Sequence, residues 1–450
     1  MRIVVDLQAV QAANKARGIG RYATSLTRAL INEATQHEIV LVVNGQFPNA
    51  LAETRAALRG ADLAPEIRVW SGPSLVQNWM DASPWQREAA ALIRDAFIES
   101  LRPDVILVLS LFEGFDDPAV TSVPLPRRGV PTAIVLFDLI PFVRRADYLS
   151  DTSLAAWYDS KIEHLRHADL LLAISESSRQ EAIDHLGARP STVVNISGAA
   201  DATFRPATIE PIVETDVRSR LGLSCPFVMY TGGIDPRKNI QGLIRAYASL
   251  PIQVRLDHQL AIVCAADQSS IDTLELVASD CGLLADEVMM TGYVSDADLA
   301  TLYNLCKVFV FPSIHEGFGL PALEAMSCGR SVIGSETTSL PEIIKLPEAM
   351  FDPFDLSAIA QKLAQALTDD DFRRRLETNS QKQALRFSWD RTARRALDAM
   401  EALHAERTDT LTAPLCLPPC RRRRCRRRRA PCSRRSACSH RRNSARQPAR

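Results

Sequence analysis

Residues Val308–Gly329 read VFVFPSIHEGFGLPALEAMSCG, and three changes of pattern within them set the architecture. Val308–Phe311 is a short unbroken apolar run, as found in a strand buried on both faces of a parallel sheet. Pro312 and Ser313 end it. The glycine-bearing loop Glu316-Gly317-Phe318-Gly319 follows, and a helix starts near Pro321, where a residue without an N–H leaves nothing unpaired. Gly329 closes that helix. Strand, glycine turn and helix N-terminus in this order aim free backbone N–H groups and the positive end of a helix dipole at one point. An anion such as phosphate matches that geometry. Two carboxylates, Glu316 and Glu324, flank the point. Carboxylates repel phosphate, so they would accept hydrogen bonds from the hydroxyls of a sugar attached to it; a solvated helix face is the alternative reading.

Outward from this stretch, strand and helix alternate along the chain, the pattern of parallel sheets covered on both faces. Arg2–Leu7, Ile39–Val43, Asp104–Leu109, Thr132–Phe137, Leu170–Ile174 and Val193–Ile196 read as strands of a first half. Arg17-Gly18-Ile19-Gly20-Arg21 reads as a loop before a helix from Tyr22, and Asp201–Ser219, without periodicity, as a linker. A second series then runs through Phe227–Thr231, Leu260–Cys264, Val288–Thr291, Val308–Phe311 and Ser331–Ser335. A chain of 450 residues exceeds one ordinary core. The expectation is an α/β protein with two Rossmann-like domains, residues 1–205 and 206–387, whose strand ends face a central cleft. Residues 388–405 are expected to form a helix returning to the first domain, and 411–450 a basic, disordered tail.

The formal net charge of zero hides a division. Residues 411–450 hold 14 arginines and no acid, so residues 1–410 carry 39 basic and 53 acidic side chains. Pro418-Pro419-Cys420 and the Arg421–Arg429 block cannot bury a core. The tail cysteines and His440 lack the paired spacing of a zinc site. Such an arginine run holds polyanions nonspecifically at most, so no specific nucleic-acid partner is expected. Five cysteines, Cys225, Cys264, Cys281, Cys306 and Cys328, are scattered through the body, which fits reduced thiols better than a disulfide framework. No basic-then-apolar leader and no run of about 18 apolar residues is present, so a cytoplasmic protein is expected.

The chemistry falls on the residues that such sheets point into the cleft. Gly232-Gly233 directly after a strand, followed by Arg237 and Lys238, is a turn able to approach a diphosphate with two cations beside it. Alone it reads rather as a surface turn with solvated basic residues, and the balance reverses with Glu316 and Glu324 at a neighbouring strand end. Asp138 follows a strand end and could either face the cleft or cap the next turn. Ser175 is a plausible N-cap for the helix after Leu170–Ile174.

With these residues in place, Glu316 and Glu324 around GFGLPAL, together with Gly232-Gly233 and Arg237-Lys238-Asn239, resemble the retaining family 4 glycosyltransferases of the GT-B fold. The resemblance covers residues 1 to about 405. It implies that Arg237 and Lys238 neutralise the diphosphate of a nucleotide-sugar donor, that Glu316 holds hydroxyls of the donor sugar, and that Glu324 holds the ribose. It implies further donor contacts at Gly18, Gly20, Gly233 and the backbone N–H groups of Phe318, Gly319 and Leu320. Phe137-Asp138-Leu139-Ile140-Pro141 resembles the family's active-site element, but Phe137 stands where histidine is common, which leaves Asp138 as the polar group near the reacting carbon. Fixed cations and a helix N-terminus stabilise the leaving phosphate, so no required metal and no cofactor is expected.

Asp6-Leu7-Gln8, Arg17–Tyr22 and Gly233–Asn239 look in addition like mannosyltransferases of O-antigen and related polysaccharide assembly. The implied donor is GDP-mannose and the implied acceptor a growing lipid-linked glycan, with peripheral contact at the cytoplasmic face of the inner membrane. Arg144-Arg145 is a weak candidate for that contact. Another NDP-sugar donor, a nucleotide-sugar epimerase, a phosphorylase and a non-catalytic subunit of a polysaccharide assembly complex remain as alternatives.

Overall fold

The computed structural model describes residues 1–13, 15, 18–47, 49–58, 65–74, 76–77, 84–123 and 130–412. The chain builds two all-parallel sheets, each from strands that read as apolar runs because helices cover both faces. The first sheet contains β1 (Arg2–Asp6), β2 (Glu38–Asn44), β3 (Glu66–Trp70), β4 (Val105–Val108), β5 (Thr132–Leu136), β6 (Leu170–Ala173) and β7 (Val193–Asn195) in the order β3-β2-β1-β4-β5-β6-β7. The second contains β8 (Phe227–Thr231), β9 (Gln259–Val263), β10 (Val288–Met290), β11 (Val308–Phe311), β12 (Val332–Ser335) and β13 (Met350–Phe351) in the order β10-β9-β8-β11-β12-β13. Both sheets belong to one compact unit, Met1–Arg407; residues 408–450 form a second unit, described only at the end of the last helix.

Strand order reverses between β1 and β4 in the first sheet and between β8 and β11 in the second. Loops leaving adjacent strands on opposite sides of such a reversal open a crevice at the carboxyl ends, where ligands of these sheets bind. The Gly232–Asn239 turn leaves β8 and the Glu316 loop leaves β11, so the two stretches flank the reversal of the second sheet.

Two local expectations are corrected. The helix expected from Tyr22 begins at Gly18 and runs to Glu33. Glycine is a poor helix former, but a Cβ at Gly20 would lie 2.2 Å from the Lys15 carbonyl oxygen, so the close chain approach demands glycine there. Arg17 lies outside the described residues. The stretch expected to be a linker contains the helix Pro211–Leu221, which has proline in its first turn and Gly222 as its left-handed cap. Arg144 bonds Asp147 at 2.8 Å, and Arg145 forms a two-pronged pair with Asp159 at 2.7 and 2.8 Å.

The helix beginning at Trp389 lies against the first sheet's elements. Trp389 meets Tyr22 edge to face at 4.9 Å, His37 bonds Glu401 at 2.7 Å, and Arg407 bonds Asp169 at 2.7 Å. Among the described residues no helix is long and apolar enough to cross a membrane. The tail expectations, disorder at Arg421–Arg429 and the cysteines from Cys416 to Cys438, lie outside the described residues.

Candidate active site

The second sheet contributes three charged side chains to one cluster. β8 ends at Thr231, and Asp235 caps the short 3-10 turn Pro236–Lys238 by accepting from the Arg237 N–H. Asn239, in the left-handed region at φ 57°, turns the chain into the next helix, and its side-chain amide bonds Pro353 O at 2.8 Å. This turn directs Arg237 and Lys238 toward the loop after β11. Lys238 Nζ lies 2.6 Å from Glu316 Oε1, and Arg237 Nη1 lies 3.2 Å from Glu316 Oε2. Arg237 Nη1 also donates to His315 O at 2.8 Å. All three side chains are buried or nearly so. Burial alone would push the Glu316 carboxyl up, but Lys238 and Arg237 outweigh it and hold it below the ordinary carboxylate range. Glu316 is therefore ionised and paired with two cations.

The backbone of the Glu316 loop is tied from β12's far end. Thr338 Oγ1 accepts from the Glu316 N–H at 3.0 Å, and Ser339 Oγ lies 2.9 Å from Glu316 O and 2.7 Å from Phe318 O. Gly319, at φ 108°, is the turn residue before the helix Leu320–Ser327; a Cβ there would meet Leu340 at 2.7 Å. The N–H groups of Phe318, Gly319 and Leu320 lie at that helix's start, where no intrahelical acceptor exists. The Phe318 side chain is buried against Phe387, so only its backbone faces the cleft chemistry.

Glu324 lies on the same helix but in a different setting. Tyr303 OH donates to its Oε2 at 2.9 Å, and burial pushes the carboxyl up to about 7. It lines a cavity of about 400 Å³ together with Arg21, Thr24, Asp201, Leu320 and Trp389. Arg21 stands on the helix begun by Gly18 and Gly20 and pairs with Asp296, so the first domain's glycine segment reaches the same cavity. Gly233 has open space where a Cβ would stand.

The raised Glu324 has a measurable consequence. Its folded value of about 7 stands above the ordinary 4.5, so between those pH values the folded chain keeps a proton that the unfolded chain has released. Stability thus falls as pH rises from about 4.5 to about 7, by on the order of 3 kcal/mol, and the penalty is complete above that range. Glu324→Gln, which cannot ionise, is expected to melt higher than the wild type at pH 8 and about equally at pH 4.5. A thermal-melt difference that does not widen with pH would refute it.

The first domain brings Asp138 to the opposite wall. Its Oδ1 accepts from the Ile140 N–H at 3.0 Å, so it does cap the turn after β5. The residue is only partly buried, but its carboxyl is enclosed: burial pushes it up, with Ile140 N–H and Arg237 working against that and Glu181 adding to it. A Cβ on Gly317 would lie 3.0 Å from Asp138 Cβ and 2.6 Å from Phe137 O, so the two loops touch across the cleft. Phe137 packs edge to face with Tyr22 at 5.2 Å. Ser175 Oγ accepts from Ser178 N–H at 2.9 Å, while Glu176 turns outward to Arg179. The sequence reading missed Glu181, His315, Tyr303, Thr338 and Ser339, none of which belongs to a recognisable local pattern, and placed Ser178 only in the helix cap begun by Ser175. Among the described residues no group of three or more His, Cys, Asp or Glu side chains is placed to hold a metal ion.

Residues 216–383 match the family described as glycosyl transferases group 1, and residues 17–198 match the glycosyl transferase 4-like domain. The O-antigen chain mannosyltransferase B of Escherichia coli is 32% identical over 282 residues, 62% of this chain and 72% of that protein. The chain belongs to the group 1 glycosyl transferases. A second relative of this family, the serotype-specific mannosyltransferase WbdA of Escherichia coli, is 35% identical over 406 residues, 90% of this chain and 48% of that protein. The chain thus spans about half the length of that relative. Sucrose-phosphate synthase from Thermosynechococcus elongatus superposes with a TM-score of 0.66 at 20% identity, covering 90% of this chain and all of that one. The architecture is the GT-B glycosyltransferase fold, as its two facing parallel sheets indicate.

Proposed function

We propose that this chain transfers mannose from GDP-mannose to a growing lipid-linked glycan, with retention at the sugar carbon. The observation that carries the reading is the Glu316–Lys238–Arg237 cluster at the strand-order reversal, with Glu324 on the helix that follows the Glu316 loop and lining a cavity of its own. Two buried cations held by one carboxylate are a site for a diphosphate: phosphate oxygens take over Lys238 and Arg237, which frees Glu316 to accept hydroxyls of the donor sugar. Glu324 then faces the nucleoside, with its carboxylate toward the ribose, and the N–H groups of Phe318, Gly319 and Leu320 meet phosphate or sugar.

In the transfer step the bond between the sugar carbon and the diphosphate oxygen breaks, and the acceptor hydroxyl oxygen bonds that carbon on the same face. The acceptor proton passes to the departing phosphate. Charge grows on the phosphate as the bond breaks, and Lys238, Arg237 and the helix start at Leu320 stabilise it without reorganisation and without a required metal. Asp138, at the opposite wall, is the polar side chain beside the reacting carbon. Mannose and the glycan acceptor are supported by the names of the two Escherichia coli mannosyltransferases. A lipid-linked acceptor would bring the protein to the cytoplasmic face of the inner membrane as a peripheral protein.

Incubation with a panel of labelled GDP- and UDP-sugars and lipid-linked glycan acceptors tests this. Incorporation from GDP-mannose alone is expected. Incorporation only from another donor overturns the sugar assignment; no incorporation from any overturns the enzyme; and donor conversion without acceptor points to an epimerase.

A further inference from the structure

The helix Glu176–Leu186 presents Ser178 and Glu181, three residues apart and therefore on one face, to both walls of the cleft at once. Glu181 Oε1 lies 2.6 Å from His315 Nε2, and Glu181 Oε2 accepts from the Leu139 N–H at 3.2 Å. One carboxylate thus holds the residue before Glu316 in the second domain and the residue after Asp138 in the first. Ser178 repeats the arrangement one turn earlier: its hydroxyl lies 2.7 Å from Phe137 O and 3.1 Å from Gly317 O. His315 is fixed in turn through its carbonyl by Arg237. The His315 side chain is 11% exposed and that of Glu181 13%, so solvent does little to weaken the pair. The His315 ring spends its Nε2 on the other domain, while Glu181 divides its two oxygens between the other domain's His315 and its own domain's Leu139 N–H. A buried polar pair of this kind is weak evidence of stabilisation, but it fixes one relative placement of its partners.

We propose that Glu181 is a positioning residue for sugar transfer, acting with His315 and Ser178 to set the register between the Asp138 loop and the Glu316 loop. This rests on the reading of the cleft as the transfer site. When the domains meet in this register, the donor held by Glu316, Lys238 and Arg237 faces Asp138 at a fixed distance, so closure and alignment are one event. Misplacing reacting groups by about 1 Å costs about a hundredfold in rate. Glu181 touches neither donor nor acceptor in this scheme. Its loss therefore lowers turnover and leaves in place the donor affinity that Lys238, Arg237 and the helix start at Leu320 supply from the second domain.

The test measures kcat, donor KM, donor binding by calorimetry and thermal melting for the full chain, with whichever nucleotide sugar gives the highest wild-type rate. The variants are Glu181→Gln, His315→Gln and the double variant. Glu181→Gln and His315→Gln are each expected to lower kcat by roughly thirtyfold to a hundredfold, with donor binding within about twofold and little change in melting. The double variant is expected to be no slower than the slower single variant, because both remove one contact. Unchanged kcat, kcat losses that multiply in the double variant, or a loss carried by donor binding or melting overturns the proposal. Absence of transfer by the wild type overturns the cleft reading and this proposal together, whereas an active wild type with an equally active Glu181→Gln overturns this one alone.

Discussion

Glu316→Ala is expected to reduce sugar transfer by about a thousandfold while strengthening the binding of the bare nucleoside diphosphate. The two effects have one cause. Glu316 is ionised, buried and within 2.6 Å of Lys238 and 3.2 Å of Arg237, so a diphosphate reaches those cations only by displacing the carboxylate. Removing the carboxylate removes the competitor, and the nucleotide binds more tightly. The same removal takes away the acceptor that the sugar hydroxyls would use as the glycosidic bond breaks, and it leaves Lys238 and Arg237 without the anchor that orients them. A charge-assisted hydrogen bond that matters in the transition state is worth about 3–4 kcal/mol, which is about two to three powers of ten in rate. Glu316→Gln, which keeps the shape and loses the charge, should fall between the wild type and Glu316→Ala in both measurements. Initial rates with labelled donor and calorimetry with the nucleoside diphosphate decide it. Transfer within tenfold of the wild type, or weaker nucleotide binding, would show that the cluster is a structural ion pair.

How far this site was legible in the sequence follows from the range of its interactions. Strand, glycine turn and helix start at Val308–Gly329 are local, and the structure places β11, the loop and the helix Leu320–Ser327 within a residue or two of that reading. The Ser175 cap is equally local and is found where the pattern puts it. The pairing of Glu316 with Lys238 spans 78 residues, and that of Glu181 with His315 spans 134, so no spacing rule reaches them. His315 carries no signal beyond its neighbour Glu316, and Glu181 reads as an ordinary helix-surface acid. The Pro211–Leu221 helix was legible in principle, since proline in the first turn and glycine at the cap are its signature, but its polar composition hid the periodicity. The helix start at Gly18 could not be read, because only the contact of Gly20 with Lys15 explains glycine there.

Gly317→Ala is expected to lower kcat by about a hundredfold without unfolding either domain. A Cβ at this position would stand 2.6 Å from Phe137 O, 3.0 Å from Asp138 Cβ and 3.1 Å from Asp138 Oδ2, and all three atoms belong to the other wall of the cleft. Two of these neighbours lie close to the backbone and cannot swing aside as the end of a long side chain can. The methyl group is therefore accommodated by parting the two loops, which stretches the contacts of Ser178 with Gly317 O and of Glu181 with His315. The three nearest neighbours of the added methyl all belong to the first domain, so the Glu316 loop keeps its ties to Thr338 and Ser339 and the donor still binds. The rate falls because the acceptor side no longer meets the donor at the reacting distance. Gly317→Val, with more volume to place, should cost more, again mainly in kcat. Steady-state kinetics with donor varied at saturating acceptor separate the two constants. A Gly317→Ala enzyme that turns over within threefold of the wild type would mean that the walls need not touch for transfer, and that the contact between Gly317 and Asp138 is no part of the reacting arrangement.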